Sequence, residues 1–455
     1  MPDTIAWLLV ALDLIAVGAL AFATWRRYGI VFSAYNYKVY AFVFCLCLSL
    51  VALYQDRAWY ALGIRRDAAS VMGAYLKESL LINSLGFVTL AAVVVVFLRR
   101  GQDYKLDDLR KSVGLIDAPA AHICFSLFAL VFVVLCLVYN QHTFPLLNTA
   151  RSFYVDHWFS PVYQGCTAAI NIYIIYFGLR AVCKRTDVAW FVLSCLCSAL
   201  TGARGGLFES FLVVAIVAIY LYRQPASIAS EEELRGALVG RTWRILALVP
   251  VVILAALAMV SLRDQGSVAG VQAQFEELLY GNSFSDVRDG AFLLKGFREN
   301  LGDTFVYGRT YLAALISFIP SSLSPFRQQW AWGKLSAYGI SHMQGVHLGL
   351  RGGWFMEPYI NFGYVGVIGI ALVYGAMLAY LDYAFYYELL LKGRQMDERV
   401  VFPLSLVATF AASLLTTSGF FTVYVILGMM LMMAVVTKVL QAINVRRDEA
   451  KWRAS

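Results

Sequence analysis

Apolar residues recur along this chain in long unbroken runs, separated by charged segments or segments that carry Gly and Pro. A membrane-crossing helix needs about 20 predominantly apolar residues. Runs of that order lie near residues 5–24, 39–54, 74–97, 119–139, 161–182, 187–201, 206–222, 245–262, 358–381, 400–417 and 420–440. The alternation over about 10 residues that marks a membrane β-barrel is absent. The pattern therefore predicts an all-α polytopic integral membrane protein with about 11 transmembrane helices. The first run follows Asp3 and no basic residue, so it lacks the positive n-region of a secretory signal and reads as a span.

Composition supports the same class. Of 455 residues, 60% are hydrophobic and 15% charged, whereas soluble domains carry about 25% charged residues; an ordinary soluble enzyme is excluded. Lys and Arg gather on alternate connections: 23 on one side, among them Arg99, Arg100, Arg180, Arg241 and Arg446, against five in the short loops opposite, Arg57, Arg65, Arg66, Arg151 and Arg204. The positive-inside rule then puts the N-terminus outside and the C-terminus in the cytoplasm. The net charge of +8 is mostly this topology signal and does not point to nucleic acid.

The chain divides into spans at 1–262, a long outer segment at 263–357 and spans with a cytoplasmic tail at 358–455. Long loops are usually functional or disordered. This one is rich in aromatics, and its apolar run Tyr311–Ile319 is too short to span, so it is expected to contain short helices and to lie in the interface or re-enter among the helices. All eight cysteines fall in or beside predicted spans and read as small apolar residues. No Walker A, GxGxxG or HExxH pattern occurs, so no cofactor or metal is expected. An internal repeat of the transporter kind is not evident.

Three features carry candidate chemistry. Thr201-Gly202-Ala203-Arg204-Gly205-Gly206 sits where a span begins on the outer face; a helix N-terminus with an arginine there suits an anion. The plain alternatives are a glycine turn with a snorkelling arginine, or Arg204 paired with Glu209. Within the long segment, 263–303 mixes Arg288 and other bases with seven acids and reads as helical pieces with a solvated face. From Thr304 to Met356 there are Arg309, Arg327, Lys334 and Arg351 and no carboxylate, a composition shaped to face an anion. Its aromatics Tyr307, Tyr311, Trp330, Trp332, Tyr338 and Trp354 suit sugar stacking or interfacial anchoring. Lastly His342, His347 and Glu357 are candidate proton acceptors. Arginines, aromatics and a base on the outer face together suit glycosyl transfer from a lipid diphosphate, whose developing charge arginines stabilise.

These residues resemble a known family, the bacterial O-antigen or oligosaccharide-repeat-unit polymerases (Wzy). The resemblance rests on the Thr201–Gly206 turn, Asp286-Val287-Arg288-Asp289, Tyr307-Gly308-Arg309-Thr310-Tyr311, Phe318-Ile319-Pro320 running on to Pro325 and Arg327, and Glu357-Pro358-Tyr359-Ile360-Asn361-Phe362-Gly363 with Gly366. It implies a metal-independent glycosyltransferase of the broad GT-C type in the bacterial inner membrane, joining undecaprenyl-diphosphate-linked repeat units at the periplasmic face beside a flippase and a chain-length regulator. By position it assigns diphosphate or sugar contacts to Arg204, Arg288 and Arg327, with Arg309, Arg351 and Tyr311 beside them. His347 is the expected base, with His342 and Glu357 as the other candidates. An O-antigen ligase would share the donor and the arginines and differ in the acceptor; a lipid-linked oligosaccharide transporter would need charge along the spans instead.

Overall fold

A computed structural model describes residues 3–33, 36–62, 68–100, 118–146, 154, 158–202, 204–221, 238–245, 247, 250–251, 254, 276, 279–281, 284–319, 323–340, 350–390, 406 and 419–454. Among them there are helices and turns and no strand. Seven helices are long and apolar enough to cross a membrane, so the chain is an all-α membrane protein. They are α1 (Asp3–Tyr28), α2 (Tyr37–Tyr54), α3 (Ala68–Arg100), α4 (Ala118–Tyr139), α5 (Ser160–Cys183), α11 (Met356–Ala384) and α12 (Phe420–Ala454). Between them run α6 (Val188–Leu200), α7 (Arg204–Leu221), α8 (Asp286–Leu301), α9 (Arg309–Leu315) and α10 (Pro325–Trp330).

The expected spans at 187–201 and 206–222 correspond to α6 and α7. At 13 residues, α6 reaches about 20 Å at 1.5 Å per residue, short of the ~30 Å hydrocarbon core. It folds back against α7 through Gly202, whose φ of +68 is a left-handed conformation that suits glycine. The expected spans at 245–262 and 400–417 lie almost wholly outside the described residues.

Two helices organise the packing. Around α3 stand α1, α2, α8 and α11; around α5 stand α4, α6, α7 and α12. Aromatic rings fill the second group: Phe125, Tyr173, Phe177 and Trp190 meet edge to face or stacked, and His122 lies flat on Trp190 at 4.5 Å. Ion pairs mark one end of the first group, with Lys77 on Asp3 at 2.5 Å and Arg298 of α8 gripping both oxygens of Glu78 at 2.6 and 2.7 Å.

Ahead of α11 the chain dips into the bundle and returns. Trp354 stacks on Phe42 at 4.5 Å and touches Tyr374 at 5.4 Å. Residues 354 and 374 would stand about 30 Å apart along one straight helix, so the chain doubles back between them. The reversal is at Gly363, the one non-helical residue inside α11 (φ 62, ψ −151). Residues 356–362 form a short outward arm and 364–384 a long inward one. A Cβ on Gly366 would overlap the Pro358 carbonyl oxygen, so the arms touch backbone to backbone. At the bottom of the dip the Phe355 ring occupies the space a Cβ on Gly86 would need, eight residues or about 12 Å along α3 below Glu78.

The dip creates a hydrogen-bonding debt, since carbonyls near a helix break lose their i+4 donors and an unsatisfied group in a membrane interior costs several kcal/mol. Two of them are met from the preceding loop: Val306 N–H donates to Ile360 O and Tyr307 N–H to Asn361 O, both at 3.1 Å. On α3, Asn83 donates to Gly352 O at 3.2 Å and accepts from Phe355 N–H at 3.4 Å.

Candidate functional site

The loop end of the bundle holds two polar clusters, one on each side of the dip. The first is built on α8. Ser285, Asp286, Arg288 and Asp289 occupy its first turn, and the helix is held to α3 by the Ser79 hydroxyl, which donates to Val287 O at 2.7 Å. Arg288 is 4% exposed. Its Nη1 donates to the carbonyls of Ala58 and Tyr280, and its Nη2 lies 3.3 Å from Asp289 Oδ1. Asp289 is buried too, and that burial pushes its carboxyl above the usual carboxylate range while the Arg288 guanidinium opposes the shift. Arg351, at the head of the dip, sets its Nε 3.4 Å from Asp286 Oδ1. The Asp286 carboxylate raises the pKa of that guanidinium, and the side chain is still 55% exposed. Arg288 is enclosed, whereas the Arg351 side chain reaches solvent.

The second cluster joins two motifs about fifty residues apart. The Asn361 side chain accepts from Gly308 N–H at 2.9 Å and donates to the Thr310 hydroxyl at 2.7 Å and the Glu357 carbonyl at 2.9 Å. With the two backbone bonds from Val306 and Tyr307, this clasps Tyr307–Tyr311 onto Glu357–Gly363. Glu357 is 1% exposed, and its charge, after burial itself, raises the pKa of the Tyr311 hydroxyl. Tyr311 lies flat over Phe362. Arg309 is exposed and holds its guanidinium 4.6 Å over the Trp330 ring, a cation–π contact that leaves its N–H groups available. Arg327 is half-buried. Its Nη1 donates to the carbonyls of Ser317 and Ile319, closing the turn after α9. Its Nε meets no hydrogen-bond partner among the described residues, and burial lowers its pKa.

The structure thus brings Tyr311 and Glu357 together, holds Arg309 on the same clasped segment against Trp330, with Arg327 behind α9, and sets Arg288 with Arg351 in the neighbouring cluster. His342 and His347 lie outside the described residues. So does the Arg204 side chain, although Arg204 does begin α7 as expected. Of the motif's glycines Gly202 makes the turn and Gly206 serves packing: a Cβ at Gly206 would overlap the side-chain amide of Asn171, which accepts from Ser198 at 2.5 Å. Glu209 pairs with Lys38 at 2.9 Å. Two expectations are corrected. The first turn of α8 is buried rather than solvated, because it packs into α3. Trp354 stacks deep among the spans, so it is neither an interfacial anchor nor a surface for sugars.

Sequence reasoning missed Asn361, Thr310 and Asn83. The signal for Asn83 is its register with Ser79 four residues earlier on an otherwise apolar stretch of α3. Among the described residues no group of three His, Cys, Asp or Glu side chains is arranged to hold a metal ion. Comparison of the chain with protein-family models, curated proteins and solved structures finds no match.

Proposed function

We propose that the protein is a polysaccharide polymerase of the bacterial inner membrane, a glycosyltransferase of the GT-C type with about eleven spans and its site on the periplasmic face. In this reading it joins undecaprenyl-diphosphate-linked oligosaccharide repeat units, working beside a flippase and a chain-length regulator. The observation that carries the reading is the Asn361 clasp: two of the motifs on which the family resemblance rests, distant in sequence, meet and bring Tyr311 within reach of the buried Glu357 carboxyl, with the exposed Arg309 on the same clasped segment.

In the reaction, a hydroxyl of the incoming unit attacks the anomeric carbon of the growing chain. The new C–O bond forms as the bond from that carbon to the diphosphate oxygen breaks, and the electron pair leaves with undecaprenyl diphosphate. Arg309 and Arg351, both exposed, meet the charge that develops on the diphosphate; Arg327 and Arg204 are the further candidates. The proton of the attacking hydroxyl passes to a base, which is Glu357, His342 or His347. Arg288, enclosed by carbonyls and Asp289, holds the frame on which Arg351 stands.

The test is to incubate purified protein in nanodiscs with the lipid-diphosphate-linked repeat unit, with EDTA present, and to resolve products by length. A ladder of lengths is expected. Sugar moved to added lipid A core without a ladder identifies a ligase, and neither product with authentic substrate removes the glycosyltransferase reading.

A further inference from the structure

The outer surface of α9 is apolar where a helix beside water would be polar. Its inward face is small, with Thr310, Ala313 and Ala314 buried, while Leu312 and Leu315 point outward at 52% and 48% exposure. The chain beyond it continues the edge with Phe318 and Leu323, 63% and 74% exposed. An apolar patch of this kind marks an interaction surface.

Its occupant follows from what it adjoins. The Tyr424 hydroxyl donates to Leu315 O, and the Tyr424 ring meets Phe318 edge to face at 5.5 Å. Tyr424 lies in the first turns of α12, a span whose exposed side carries Leu427, Leu431, Val435 and Val439 at four-residue intervals. A stripe like that on a span faces lipid. The α9 edge is therefore continuous with an acyl-facing surface at the level where α12 begins. Against α9 pack α10 and Trp332–Lys334, so Arg309, Arg327 and Lys334 lie on adjoining elements, in a stretch with no carboxylate.

The geometry points to a bilayer-surface element: α9, the turn after it and α10 lie in the headgroup region, with Leu312, Leu315, Phe318 and Leu323 immersed in the acyl boundary and Arg309 and Lys334 facing lipid phosphates. The partner is the lipid surface itself, and the inference does not depend on the reaction the site performs. Its consequence is that the clasped motifs Tyr307–Tyr311 and Glu357–Gly363 sit directly beside the bilayer.

The test uses the wild-type protein in vesicles, photolabelled with a diazirine that partitions into the acyl region, with sites mapped by peptide mass spectrometry. Residues 312–323 are expected to label to within about threefold of residues 427–435 of α12. Label on α12 with none on 312–323, or stronger labelling of 312–323 by a water-soluble carbene probe, overturns the inference, as does protection by contact with a second copy detected by crosslinking. The charged half is read from Arg309→Gln combined with Lys334→Gln. Labelling at Phe318 and Leu323 is expected to fall at least about twofold in vesicles containing anionic lipid and less in zwitterionic ones; unchanged labelling in both contradicts it.

Discussion

At the end of the bundle opposite the long loop, polar groups close on one another. Asp382 accepts from the Ser33 hydroxyl and from Asn36 at 3.4 Å, Asn36 accepts in turn from Ser33 N–H at 2.7 Å, the Tyr220 hydroxyl donates to Phe32 O at 2.7 Å, and Arg241 donates to Tyr220 O. Asp382, Ser33 and Asn36 are all 0% exposed. At the loop end charged and polar residues are arranged with an arginine exposed in each cluster: Arg351 beside Asp286, Arg309 over Trp330. The closed end satisfies these buried groups, as a membrane interior demands, while at the loop end Arg327 Nε meets no hydrogen-bond partner among the described residues. Within the clusters themselves the difference is that Arg309 and Arg351 at the loop end are exposed, whereas Asp382, Ser33 and Asn36 are closed from every side.

The largest effect expected from breaking this contrast is at Arg288. Its replacement by Ala strands the buried Asp289 carboxyl and the carbonyls of Ala58 and Tyr280, a loss of about 3–5 kcal/mol, read as a collapse of thermal stability and of protein level in the membrane. Substitution at Gly86 acts on the dip. A methyl there collides with the Phe355 ring, and Gly86→Ala should cost about 1–3 kcal/mol and expose Trp354, measured as a shift in tryptophan emission and in melting temperature. At the opposite end, Asp382→Asn leaves one acceptor where two were used, a change of about 1 kcal/mol that lowers melting temperature by a few degrees without altering product.

The smallest effect is a pH dependence. Asp289 has its folded-state pKa raised by burial, so between the ordinary carboxylate value and that raised value the folded state holds the proton and the unfolded state does not. Stability is full below the ordinary value, about 3.9, and declines as pH rises through the raised one. Asp289→Asn should flatten that decline in melting temperature, and an unchanged slope would assign it to another group.

Much of this was legible in the chain. Seven of the expected spans coincide with long apolar helices, since a continuous apolar run leaves little choice of structure in a bilayer. The α6 run at 187–201 was already shorter than a span needs, but its residues are as apolar as those of any span, and its pairing with α7 across Gly202 is a feature of the fold. The dip at 350–363 was hidden because Trp354 reads equally well as an interfacial anchor or a sugar-stacking ring. The positive φ values of Gly352, Gly353 and Gly363 are three-dimensional facts that a glycine letter only permits. In the site, Arg309, Tyr311 and Glu357 were picked out as types, and what joins them, the Asn361 amide, was passed over as part of a motif. Arg288 drew notice for its charge, but its enclosure depends on α3 and on the carbonyls of distant segments, which no local pattern encodes.

The central claim is that the open arginine at the loop end acts on the product and the closed carboxyl at the other end does not. Its most direct test compares polymer formed per folded protein by Arg309→Lys and Asp382→Asn in nanodiscs with the lipid-linked repeat unit. The account predicts a loss of at least about tenfold for Arg309→Lys at unchanged melting temperature, because a point charge lacks the guanidinium fork, and wild-type yield for Asp382→Asn. Equal yields from both variants, or a loss confined to Asp382→Asn, would contradict it.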